Sequence, residues 1–313
     1  MVPVRWDWER DRIVARYPHA SGRPYTPPMT RIARTIELAK ASWQVLKADK
    51  ELLLLPVLSL IATIAVALTF LAPILLTGGA TAIEDPGPVG YALLFVGYVV
   101  LAFITIFFNA ALVHAANERL GGGDPTLGSA IRGALLRVGR ILPWAIVSAT
   151  VSIILRAIEE RAGALGRIVS GIAGIAWSLV TFLVIPVLVI EGVGVGDAIK
   201  RSGTLFKKTW GENVAAQVGF GLIGFLAIIP AFLVAAGAIA AGGAIAVIGV
   251  AAAVVWGLLV VMVLSALNGI FQTALYRHAA GVAAGSGPFG AGELQAAFQP
   301  KGGSSGFTRG FAG

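Results

Sequence analysis

Between Val214 and Tyr276 the sequence reads VAAQVGFGLIGFLAIIPAFLVAAGAIAAGGAIAVIGVAAAVVWGLLVVMVLSALNGIFQTALY, with no charged residue anywhere in it. Drawn as one helix, this stretch would be about 95 Å long at ~1.5 Å per residue, roughly three times the ~30 Å hydrocarbon core of a bilayer. It must turn back on itself, and the glycine-rich run Gly237–Gly243 is the natural place. That gives two spans, 214–236 and 245–267, the second continuing toward Tyr276. Two adjacent helices without a polar face belong in lipid, because only helices and closed barrels satisfy their backbone there.

The same test finds four more spans upstream, at 52–77, 89–113, 141–158 and 168–190, the third with Arg156 near its end. The 313-residue composition agrees: 57% hydrophobic and 13% charged, with a mean hydropathy of +0.84. A soluble domain carries about 25% charged residues. The first apolar run starts at Leu52, too far in for a cleavable signal peptide, and reads as a signal anchor. The absence of cysteine excludes disulfide scaffolds, thiolate metal sites and cysteine nucleophiles.

A net charge of +8 with a pI near 10.1 fits either nucleic acid or the positive-inside rule. Placement of the charges decides. Ten Lys/Arg precede the first span, four lie between the second and third, four between the fourth and fifth, and three in the C-terminal tail. The opposite side holds only Arg156, Arg161 and Arg167. The rule then puts both termini in the cytoplasm of a plasma-membrane protein. No basic stripe remains for nucleic acid, so that partner is excluded. The implied partners are membrane lipids, whose anionic headgroups attract such segments, together with protein partners or a second copy of the chain.

Three basic segments share one design and each precedes a pair of spans: 35–50, 126–142 and 195–210. Ile32, Ile36, Ala39, Trp43 and Leu46 recur at steps of four and three, as do Ile131, Leu135, Val138 and Leu142. Ile199, Phe206 and Trp210 form a third stripe. Such spacing puts the apolar residues on one helical face, and flanking bases suit a helix lying in the membrane interface. Candidate headgroup contacts are Lys40, Lys47, Arg132, Arg137, Lys200, Arg201, Lys207 and Lys208. The ends of the even spans also echo one another, as in Phe108-Asn109-Ala110-Ala111-Leu112 and Phe271-Gln272-Thr273-Ala274-Leu275. The expected unit is an interfacial helix followed by a transmembrane hairpin, used three times.

Intramembrane polar groups are functional suspects. Asn109, Gln272 and Asn268 form the candidate intramembrane polar site, with Asn109 and Gln272 at equivalent repeat positions; interhelical hydrogen bonding is the plainer role for such amides. Arg156, with Glu159 and Glu160 one turn on, reads as a snorkelling arginine with a local pair. Glu191 closes the fourth span, where a neighbouring base would pair with it. His114 and His278 sit at inner ends of spans, facing headgroups. No metal-ligand set, catalytic motif or cofactor motif is found in the sequence. Gly121-Gly122-Gly123-Asp124-Pro125 reads as a helix-initiating turn capped by Asp124 or Thr126.

Residues 1–28 are polar and proline-rich, and are expected to be an extension upstream of a start at Met29. Residues 29–279 make up the transmembrane domain, and 280–313 a flexible cytoplasmic tail with a short patterned piece at 293–298. The run from Met29-Thr30-Arg31-Ile32 through Ser42-Trp43-Gln44-Val45-Leu46-Lys47-Ala48-Asp49-Lys50-Glu51-Leu52 resembles an uncharacterised prokaryotic family of six-span membrane proteins, a domain of unknown function. So do Gly123-Asp124-Pro125-Thr126-Leu127, Lys207-Lys208-Thr209-Trp210-Gly211-Glu212 and Ser265-Ala266-Leu267-Asn268-Gly269-Ile270-Phe271. The resemblance covers roughly 29–301. In layout alone the chain is also similar to the membrane domain of glycerophosphodiester phosphodiesterases; it lacks their catalytic domain, so no activity carries over. The expectation is an all-α, six-span protein acting as a non-enzymatic membrane module that organises lipids or partner proteins. The alternative is a transporter or channel for a small solute or lipid.

Overall fold

The computed structural model describes residues 42–44, 46–47, 49–77, 87–161, 163–208 and 210–282, all within one compact unit spanning 31–313. The N-terminal extension, Lys40 and the patterned piece at 293–298 lie outside the described residues. Every regular element among the described residues is helical. After a 3₁₀ turn, Lys50–Leu53, come α1 (Leu54–Thr77), α2 (Gly87–Leu120), α3 (Leu127–Leu135), α4 (Val138–Arg161) and α5 (Gly163–Thr181). Then follow a single turn α6 (Val184–Pro186), a π-helical turn Val187–Glu191, α7 (Val195–Lys208), α8 (Trp210–Ala241) and α9 (Gly243–Ala280). Six stretches are long and apolar enough to cross a membrane: Glu51–Phe70, Val89–Leu120, Val138–Arg161, Leu165–Glu191, Gly221–Ala241 and Gly243–Ala280.

The helices outrun the apolar stretches that announced them. At 34 residues α2 is about 51 Å long, well beyond the ~30 Å core of a bilayer. Its last turns form the centre of the molecule. Ala110, Leu112, Val113 and Ala116 of α2 are buried together with Ile270, Phe271, Ala274 and Leu275 of α9 and with Val184, Val187 and Leu188. Helix α2 touches α1, α3, α4 and α9, while α1–α2, α4–α5 and α8–α9 pack as sequential neighbours. Toward the other end the spans carry exposed apolar side chains such as Leu93, Ile172, Phe232 and Val247, as a lipid-facing surface requires.

The turn in the stretch from Val214 to Tyr276 is tighter than the glycine run suggested. Helix α8 continues through Ala241, and only Gly242 (φ 72°) and Gly243 (φ 58°) leave helical geometry. Left-handed backbone of this kind favours glycine. The α8–α9 contact is close because side chains are absent: a Cβ on Gly249 would collide with that of Ala238, and one on Gly224 would come within 2.7 Å of Leu264. The Trp256 indole N–H donates to the Ala227 carbonyl at 2.8 Å, next to Pro230, which lacks the N–H that Leu226 would need.

The fourth span departs most from expectation. Read as one helix over 168–190, it is interrupted at Phe182 and Leu183. Pro186 explains the position: its ring clashes with, and offers no donor to, the carbonyl four residues back, that of Phe182. Ser202 of α7, fully buried, mends the gap. Its hydroxyl donates to the Val180 carbonyl at 2.6 Å and accepts from the Leu183 N–H at 3.1 Å. The π turn ends on Gly192, left-handed at φ 65°.

The three basic segments do not sit alike. On α7 the stripe packs inward, with Phe206 buried and Ile199 partly so. On α3 the packed residues are Ala130, Gly133 and Ala134, while Leu135, Val138 and Leu142 of the expected stripe are exposed. In the first segment Leu46 is buried and Trp43 exposed.

Candidate functional site

Polar groups converge where the core closes, at the end of the bundle that carries α3 and α7. The Asp49 carboxylate forms an ion pair with Arg119, which also reaches Asp124 at 3.2 Å. Burial holds the Asp49 carboxyl above its ordinary value of 3.8; Arg119 opposes this, and the nearby Asp124 and Glu51 add to it. Glu51 accepts from the Leu127 N–H at 2.9 Å, satisfying a free donor at the start of α3. Thr126 caps the same helix in a reciprocal capping box with Ser129, so of the two caps the sequence offered it is Thr126 that serves. Ser129 also donates to Glu118 at 3.0 Å.

A second cluster lies at the end of the broken fourth span. One oxygen of Glu191 accepts both from Arg201 Nε at 3.0 Å and from the Tyr276 hydroxyl at 3.0 Å. This joins the π turn, α7 and α9 through a single carboxylate. Beside it, Arg137 Nε donates to the Val189 carbonyl at 3.2 Å, and its guanidinium occupies the space a Cβ on Gly192 would need. On α9 the next residue, Arg277, donates to the Asn117 side-chain oxygen at 2.8 Å.

The sequence-derived candidates distribute as follows. Asn109 and Gln272 do share an interface. Gly269, one turn before Gln272, places its Cβ position 2.5 Å from Leu112 and 3.6 Å from Asn109 Oδ1. Asn109 Oδ1 and Gln272 Oε1 are both buried without a hydrogen-bond partner among the described residues. Asn268 is partly buried on the same helix. Of the headgroup candidates, Lys47, Arg132, Lys200 and Lys207 are exposed, with Lys47 Nζ 5.6 Å from the Trp43 ring centre. Arg201 and Arg137 are instead partly buried and engaged as described. Lys208 ends α7, its side chain outside the described residues, as is Lys40.

His114 corrects its expectation. Its ring lies against Gly133, in the space a Cβ there would take, and so is packed between α2 and α3. Arg156 does pair locally, with Glu160 at 3.2 Å on an exposed face. The groups that sequence reasoning passed over are Asp49, Glu51, Tyr276, Asn117 and Ser202. Glu191 did announce itself, as a carboxylate ending an apolar run. No group of three or more His, Cys, Asp or Glu side chains suited to a metal ion occurs among the described residues.

Helical spans joined by a polar, ion-paired end define an all-helical membrane protein with six candidate crossings. The chain belongs to the Family of unknown function (DUF6159), which matches residues 88–287. The match begins within α2, so the run from Met29 to Leu52 that first suggested such a family lies outside it. The looser likeness to the membrane domain of phosphodiesterases gains no support. No curated protein matches the chain.

Proposed function

We propose that this chain is a non-enzymatic module of the plasma membrane that organises lipids or partner proteins through the basic end of its bundle, with both termini cytoplasmic. In this reading three hairpins are each led by a basic interfacial helix. One observation carries it: four carboxylates of that end are spent internally, with Asp197 left exposed on α7, while four bases stand exposed beside them. Asp49, Glu51, Glu118 and Glu191 are held by Arg119, Leu127, Ser129 and the Arg201–Tyr276 pair. Lys47, Arg132, Lys200 and Lys207 stand exposed around them. A surface of that sign attracts anionic headgroups by about 1 kcal/mol per base.

The test replaces Lys200, Lys207 and Lys208 with Gln in the full chain, reconstituted with phosphatidylglycerol and phosphatidylcholine. Retention of phosphatidylglycerol, or of proteins that co-purify, should fall. Unchanged association with both lipids and proteins would end this reading.

A second reading, a transporter or channel for a small solute or lipid, is favoured by the unpartnered oxygens of Asn109 and Gln272. An amide oxygen buried without a donor costs about 1–3 kcal/mol, and a passing ligand with a donor would relieve it. Proteoliposome flux that disappears in Asn109→Leu/Gln272→Leu supports it. Flux that persists in the variant, or no flux with any solute tested, counts against it.

A further inference from the structure

The elbow between α3 and α4 concentrates arginine. It carries Arg132, exposed, and Arg137 and Arg140, partly buried and one helical turn apart. None of the three forms an ion pair with a carboxylate among the described residues, whereas Arg119, Arg156 and Arg201 each do. A guanidinium has five N–H donors. Arg137 uses Nε on the Val189 carbonyl and packs over Gly192, which fixes the group in place without neutralising it. A cation withdrawn from water without a counterion is unfavourable until an anion joins it.

Next to these arginines the same elbow exposes large apolar side chains. Leu135 is 55% exposed, Leu136 75% and Leu142 45%. Arginines and bare leucines interleaved over about three turns suit neither water nor hydrocarbon alone; they suit the boundary between them.

We propose that the α3–α4 elbow binds the phosphate of an anionic phospholipid, held by Arg137 and Arg140 with Arg132 at the rim, its acyl chains lying against Leu135, Leu136 and Leu142. Guanidinium groups grip phosphate oxygens in pairs. The leucines commit the site to a lipid phosphate over a free one. The inference rests on the lipid-organising reading above and narrows it to one place, separate from the lysines of α7. It also adds Arg140, a residue which that reading did not contain.

The experiment uses the full chain in nanodiscs of phosphatidylcholine containing a minor share of spin-labelled phosphatidylglycerol, and reads the motionally restricted fraction of the label. The unaltered protein should prefer phosphatidylglycerol to phosphatidylcholine. Arg140→Gln should weaken that preference about fivefold, and Arg137→Gln/Arg140→Gln should weaken it further, to what the lysines of α7 retain. Leu135→Ser/Leu136→Ser should weaken it, and inorganic phosphate in excess should leave it unchanged. The Arg140 and Leu136 side chains are not part of the ion-paired network, so these variants keep the test valid should Arg137→Gln unfold; thermal midpoints in detergent monitor this. If the unaltered protein shows no preference, the elbow site falls together with the lipid half of the broader reading. If Lys200→Gln/Lys207→Gln/Lys208→Gln removes the preference while the arginine variants keep it, the elbow site alone falls. Displacement of the label by inorganic phosphate would also overturn the site.

Discussion

Ser202 shows how much one hydroxyl holds together. It serves two backbone groups released by the Pro186 break, 19 and 22 residues away in sequence. Ser202→Ala strands the buried Leu183 N–H, at a cost of about 1–3 kcal/mol, and takes a donor from the Val180 carbonyl. The thermal midpoint in detergent should drop clearly. An unchanged midpoint would mean that another group takes over the break. Nothing in the sequence marks Ser202, because a serine on a polar-looking helix has many uses and its partners lie on another element. Asp49 is a second case. Burial raises its pKa in the folded protein above the ordinary 3.8, despite the ion pair with Arg119. A carboxyl raised on folding contributes stability that is full below the unfolded value and is lost as pH rises through the folded one. Resistance to unfolding should therefore fall as pH climbs from 3.8 through the raised value, and Asp49→Asn should flatten that part of the curve. Parallel curves for the two proteins would contradict the assignment.

At the scale of the helix, the apolar runs were legible and their ends were not. Hydropathy sees residues that avoid water, so it found six runs and carried the last toward Tyr276; it does not see that α2 continues as a helix past its run, or that the last turns of α2 and α9 are buried against each other. It likewise passed over the interruption at Phe182, since Phe182, Leu183 and Pro186 are as apolar as their neighbours and only the missing donor of proline gives the site away. Glycine is informative in the same selective manner. Gly249 lies in direct contact with Ala238, whereas Gly257 has no neighbour within 4 Å of its Cβ position among the described residues. Gly249→Ala should force α8 and α9 apart and cost about 1–3 kcal/mol. Gly257→Ala should be neutral or stabilising by up to about 1 kcal/mol, since alanine is the better helix former. Thermal midpoints of the two variants measured side by side decide it, and equal losses would show that the contact carries no packing energy.

Over the whole molecule, the polar end was only half legible. Asn109 and Gln272 stood out as amides in apolar surroundings. The Glu191–Tyr276 pair joins residues 85 apart, and Glu51 reaches Leu127 across 76. Contacts so distant depend on how the helices meet, which no local pattern encodes. The distribution of charge between the two ends was legible throughout, and it yields the orientation proposed here. The chain has no cysteine, so a single introduced thiol reports its side of the membrane without background. Thr204, exposed on α7, belongs to the basic end, and its hydroxyl bonds to the Lys200 carbonyl of its own helix. Glu84 belongs to the short connection after the first span, on the side with almost no basic residues. A membrane-impermeant maleimide should label Glu84→Cys in intact cells and Thr204→Cys only after lysis. The reverse pattern would invert the protein and remove the cytoplasmic headgroup role with it. Labelling of both in intact cells would put residues 84 and 204 on one side, which six crossings with basic segments inside do not allow.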